Sequence, residues 1–364
     1  MRKCLVAALA LLFLLIAPAM AATVQVSKIT ADLNFSKDYG GIAAGSSKTI
    51  TLYLPCALKE LNQSASEISI TADSATTKTA VNLTVNGVAV ATNYVITGGS
   101  TATWNLSQIA AVGVDMNATK LVVTITAVAN ATTSDIIKLV GNDIPVTANY
   151  TVNITEVELS HPFISLSSWY AVQDIVNVEQ TSSFNLTDFK VYLTYPSYAI
   201  NQPVTVENLG TMNTTEKKTF EVNYQKKGPY VADIKDYVKN GEHVTEIKIY
   251  SYENLTNVTY EFDPFSAYYK QYFPAFSYSA IKEITFNGEK VTWERGSILI
   301  KDLTVKEGWN TLNVTYYPMG AMMAQPSAVV QQVQPTPIWE QATFWLALLV
   351  IVLGALVVVL IAKR

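Results

Sequence analysis

Cysteine, histidine and arginine are nearly missing from this 364-residue chain. It has two cysteines, two histidines and three arginines (Arg2, Arg295 and Arg364), and only 15% of its residues are charged. Each scarcity removes a class of function. Cys4 falls in an N-terminal apolar run, which leaves Cys56 as the one thiol of the remainder, so no intramolecular disulfide can form there. An extracellular chain without such staples must bury a core large enough to stand alone. The roughly 295 residues between the two apolar ends can do so as two or three domains. His161 and His243 have no second histidine, cysteine or carboxylate at ligand spacing, so no metal site is expected. Without a basic patch, and with almost no guanidinium for bidentate phosphate contacts, no nucleic-acid partner is expected either.

Catalytic signatures are also missing. The chain has no G-x-S-x-G, H-E-x-x-H or S-x-x-K, no glycine-rich phosphate loop and no calcium-loop ladder of aspartates. Carboxylates such as Glu156 and Glu158, or Asp233 and Asp236, are spaced like surface charges. The expectation is therefore no enzyme and no cofactor.

Long hydrophobic runs are present, one at each end. Arg2 and Lys3 precede an apolar stretch that ends at Ala19-Met20-Ala21, the pattern of a cleaved signal peptide over 1–21. At the other end the uncharged run 344–362 opens at Phe344 and closes at Ala362. As a helix it would be about 28 Å long, the thickness of a bilayer's hydrocarbon core. Trp339 and Trp345 fit an interfacial belt, and Lys363-Arg364 place the C-terminus on the cytoplasmic side. The expected localisation is the cell membrane: a single-pass anchor over 339–364, with the N-terminus outside. The Pro/Gln-rich segment 318–338 reads as a stalk of at most about 60 Å. Leaving out both termini, 21 basic residues face 29 acidic ones.

Asparagine placement is the second positive signal. Of 23 asparagines, 13 open an N-x-[ST] sequon: Asn34, Asn62, Asn82, Asn105, Asn117, Asn130, Asn149, Asn153, Asn185, Asn213, Asn254, Asn257 and Asn313. None lies in the leader or the anchor, and that density predicts N-glycosylation.

Between the ends, apolar residues recur with period two. Ile50, Leu52 and Leu54 form one strand face, Val81, Leu83 and Val85 a second, and Leu121, Val123 and Ile125 a third. Asn86-Gly87 and Asn287-Gly288 supply the φ > 0 pairs of two-residue hairpins. Such alternation means half-buried antiparallel strands, hence an all-β protein of antiparallel sandwiches. At Thr155-Glu156 the apolar positions change from even to odd numbers, a bulge or a junction. A boundary there gives domains over 22–155 and 156–317. Two short helices are expected in the second. One spans 230–239, from the spacing of Val231, Ile234 and Val238 with Asn240-Gly241 as C-cap. The other spans 264–273, with Asp263-Pro264 as N-cap and first turn.

The stretch 262–278 (FDPFSAYYKQYFPAFSY) holds eight aromatics. Phe265, Tyr268, Tyr269, Tyr272, Phe273 and Phe276 are the candidate contact residues for a sugar or a partner subunit. Packing of the same side on a sheet is the competing reading.

The stretch 189–224, with a strand, an N-x-G turn and a polar turn before the next strand, resembles the immunoglobulin-like repeats of prokaryotic surface proteins. Leader, dense sequons, β domains, stalk and single anchor together resemble archaeal cell-surface glycoproteins of the S-layer and envelope type. The Pro-Gly-Phe tripeptide of the sorted class is missing before the span. The resemblance implies a structural or adhesive envelope component whose partners are the membrane and other envelope proteins or copies of itself. A surface binding protein for a carbohydrate or solute is the alternative.

Overall fold

The computed structural model describes residues 23–75, 77–129, 133–271, 280–294 and 298–317. The signal peptide, stalk and anchor expected from the sequence lie outside these residues. Among the described residues no helix is long and apolar enough to cross a membrane.

The chain is all-β, and its strands alternate buried and exposed residues as the period-two pattern requires. Strand β1 (Gln25–Ile42) leads to β2 (Ser47–Tyr53), β3 (Glu67–Ala72), β4 (Lys78–Val85), β5 (Val88–Thr97) and β6 (Thr101–Asn105). A six-residue helix, α1 (Leu106–Ala111), follows. Its capping box is reciprocal: the Gln108 amide donates to Asn105 Oδ1 at 2.9 Å, and the Asn105 amide to Gln108 Oε1 at 3.0 Å. Then come β7 (Lys120–Ala129), β8 (Thr133–Pro145) and β9 (Tyr150–Glu158). Strands β2-β7-β4-β5 form one sheet. The Asn86-Gly87 turn closes β4 on β5, with φ of 48° and 83° as a type I′ hairpin demands.

The second part holds β10 (Phe163–Ile164), β11 (Trp169–Gln180), β12 (Leu186–Thr194), β13 (Ala199–Ile200), β14 (Val206–Met212) and β15 (Lys217–Lys227). Sheet β13-β15-β11-β9 belongs to it. The long sheet β14-β12-β1-β8-β3-β6 runs through both parts, because β1 serves two partners. Its first half pairs with β12 and its second half with β8. The apolar faces of these three sheets share one core, from Val24 to Tyr224.

The last part has β16 (Tyr230–Lys239), β17 (Glu242–Ser251), β18 (Leu255–Phe262), β19 (Ile281–Phe286), β20 (Glu289–Lys290), β21 (Ile298–Val305) and β22 (Gly308–Tyr316). Sheets β16-β17-β22-β19-β20 and β10-β18-β21 enclose a second core around Ile247, Tyr260, Ile284, Ile300 and Leu312. Among the described strands only β10 with β18 pairs in parallel, and an isolated parallel bridge joins Ser165 to Tyr230.

Three expectations are corrected. First, Thr155-Glu156 is no boundary: β9 crosses it and pairs with β11 without a register shift. Strand β1 pairs with β12 across it as well, so the cores divide near Gly228 instead. Second, 230–239 is a strand. Val231 and Ile234 both face the core because a bulge between Val231 and Asp233 inserts one residue, turning a period of two into a helix-like spacing of three. Val238 is 70% exposed, and Asn240-Gly241, with φ of 52° and 80°, forms a hairpin turn and caps no helix. Third, the described part of 264–273 is a set of turns ending in a 3₁₀ turn, Tyr269–Gln271. Asp263 does accept from the Phe265 amide at 2.9 Å, but the turn it opens does not propagate as an α-helix.

Candidate functional site

The described part of the aromatic stretch, 262–271, does not present one face. Phe265 is 55% exposed, whereas Tyr269, four residues on, is buried with Phe262. The Tyr269 and Tyr260 hydroxyls lie 3.2 Å apart, and burial raises the pKa of both phenols. Tyr269 thus belongs to the second core, and Phe265 and Tyr268 to the surface. Tyr272, Phe273 and Phe276 lie outside the described residues.

The sequons fare differently. Asn130 is outside the described residues. Of the other twelve, Asn34, Asn62, Asn117, Asn153, Asn185, Asn213, Asn254 and Asn257 are exposed, while Asn82, Asn105, Asn149 and Asn313 are part-buried. None is buried. Two have committed amides: Asn149 Nδ2 donates to the Leu54 carbonyl at 2.5 Å, and Asn213 Nδ2 to Glu216 Oε2 at 2.8 Å. The Oδ1 of Asn313 is buried without a hydrogen-bond partner.

The most unusual chemistry lies where the two cores meet, and sequence reading missed it. Lys226 is fully buried, on the inward face of β15. Its Nζ lies 2.6 Å from Glu156 Oε2 on β9 and 3.2 Å from Glu253 Oε2 on the β17–β18 turn. The Glu156 contact is off hydrogen-bond geometry, so it is a charge contact, whereas Glu253 accepts a directed bond. Glu253 also accepts from the Tyr170 hydroxyl. The Lys226 ammonium stands 5.9 Å and 6.0 Å from the Tyr170 and Tyr198 ring centroids. Next along β11, the buried Asp174 accepts from the Val24 amide at 2.7 Å and from the Tyr224 hydroxyl at 3.0 Å.

Three carboxylates against one ammonium cannot all stay ionised cheaply away from water. Burial raises the pKa of Glu156 despite Lys226, and of Asp174 despite its two donors. Burial and the neighbouring carboxylates also push the Tyr170, Tyr198 and Tyr224 phenols far up, so they stay protonated, and Tyr170 and Tyr224 donate to Glu253 and Asp174. Only Glu253 crosses from the second core's side. The cluster therefore ties the two cores together. The sequence did carry a signal: the phase change at Thr155-Glu156 is a charged residue occupying an inward strand position, which leaves Val157 and Leu159 outside.

Cys56 is fully buried, and burial, with Glu60 nearby, pushes its thiol up to about 12, where it is inert. His161 lies exposed beside Glu158 at 3.1 Å, and His243 pairs with Asp236 at 2.8 Å. Among the described residues no three histidine, cysteine, aspartate or glutamate side chains gather as metal ligands would. No known protein family matches the chain, and no curated protein is detectably similar to it.

Proposed function

We propose that the protein is a structural or adhesive component of a cell envelope. On this reading it is an N-glycosylated, immunoglobulin-like β protein, tethered by the run 344–362 to the outer face of the cytoplasmic membrane. The observation that carries the reading is the placement of the sequons. The twelve described sequon asparagines spread over every sheet region, and none of them is buried. The fold also suits the role. It is an array of sheets around two cores, with no disulfide among the described residues and with Cys56 sealed inside. Its partners are other envelope proteins or copies of itself. Electron microscopy of isolated envelopes, with and without this gene product, tests the proposal: a lost or disordered surface layer is expected, and an unchanged envelope contradicts it.

A second reading, a surface binding protein for a carbohydrate or solute, draws on exposed aromatic side chains. Phe265 and Tyr268 at 262–278 are two of them.

A further inference from the structure

Three rings stand in register across adjacent strands on the outward face of the last part's five-stranded sheet. Tyr230 on β16 pairs with Tyr250 on β17, and Tyr250 pairs with Trp309 on β22. Their centroids are 5.9 Å and 5.2 Å apart. The neighbouring residues Val231, Ile249 and Asn310 turn to the buried side. Tyr252, two residues on from Tyr250, continues the row: its ring lies 5.4 Å from Tyr250 and stacks on Tyr198 at 5.3 Å and 17°.

The row leads into a cleft of about 310 Å³, walled by Trp169, Tyr230, Tyr252 and Lys227, with Ser168 and Gly228 in its lining. That volume is at the lower end of the range for small-ligand sites, about 300–1,000 Å³. Lys227 Nζ stands 5.9 Å from the Tyr252 ring centroid.

Cross-strand aromatic pairs stabilise a sheet on either of its faces, but ring area left in water gains nothing from burial. Here Trp309 is 65% exposed and Trp169 49%. A row of part-buried tyrosines ending in an exposed tryptophan on one side, with hydroxyl, ammonium and backbone groups on the other, suits an amphipathic ligand with flat C–H faces and a polar rim. One cation in the cleft, on a chain with more acids than bases, does not suit a polyphosphate.

We infer that this row and cleft form a saccharide-binding site. Pyranose rings lie across Trp309, Tyr250 and Tyr230, a span of about 10 Å over two strand spacings. Lys227 then donates to a hydroxyl or carboxylate of the sugar at the cleft. The assignment rests on the binding reading above and moves its site away from 262–278.

Titration of the full chain in lipid nanodiscs with cellohexaose, chitohexaose and an oligogalacturonate tests it. The expected result is saturable binding of at least one probe, weakened about tenfold or more by Trp309→Leu or Trp169→Leu and kept by Trp309→Phe. Thermal unfolding of each variant guards against loss of fold. Lys227→Ala should weaken the oligogalacturonate most. Binding that survives both leucine variants but fails in Phe265→Ala with Tyr268→Ala overturns this assignment and leaves the binding reading standing. No saturable binding of any probe overturns both.

Discussion

Lys226 Nζ lies 2.6 Å from Glu156 Oε2, and the two residues stand on strands that flank β11. With Glu253 and Asp174 close by, the place where the two cores meet holds three of the four buried charged side chains among the described residues, Asp135 being the fourth. Replacing Lys226 with methionine keeps the bulk and strands three carboxylates. The expected loss is about 3–5 kcal/mol, the range for breaking a buried pair from one side. Chemical denaturation measures it, and adding Glu156→Gln and Glu253→Gln to that variant should return part of the loss.

The same burial fixes the sign of the pH dependence. Asp135, Glu156 and Asp174 have folded-state pKa values raised above the unfolded carboxylate value of about 4. The folded state therefore holds these protons more tightly than the unfolded state does. Their contribution is full below the unfolded pKa and is lost as pH rises through the raised folded values. The thermal midpoint should fall as pH rises from about 4 through the raised folded values. Asp174→Asn should flatten that slope, and an unchanged slope would count against the cluster as its source.

Gly228 marks the passage from one core to the other, and its backbone runs hard against Ser168. A Cβ on Gly228 would lie 2.3 Å from Ser168 Oγ, whose hydroxyl donates to the Pro229 carbonyl at 2.7 Å. Gly228→Ala should cost about 1–3 kcal/mol by overpacking. In a Ser168→Ala background the same change should cost less, because the clashing oxygen is gone. A double-mutant cycle by thermal unfolding measures the difference.

Local features were legible in the sequence. The alternation of Val81, Leu83 and Val85 and the Asn86-Gly87 turn are short-range signals, and the strands and hairpin follow them. The Val231-Ile234 spacing misled because a bulge in a strand and a turn of a helix both set apolar residues three apart. The partner of β1 could not be read: Ile29 meets Val191 through pairing across some 160 positions, which local periodicity does not encode. The inward Glu156 was visible as a phase change, but naming its partner needed Lys226 and Glu253, brought together only by the fold. Of the aromatic stretch, composition revealed the density of rings. It could not tell that Tyr269 turns inward while Phe265 stays outside.

The central claim is a sugar-coated β surface facing outward from one membrane. Proteolytic shaving of intact cells, followed by glycopeptide mass spectrometry of the released fragments, tests it most directly. The account predicts release of peptides from 23–317 with sugar on the exposed asparagines, such as Asn34, Asn117, Asn153 and Asn254, and lower occupancy at part-buried Asn149 and Asn313. Peptides released with bare sequons, or no release from intact cells, would contradict it.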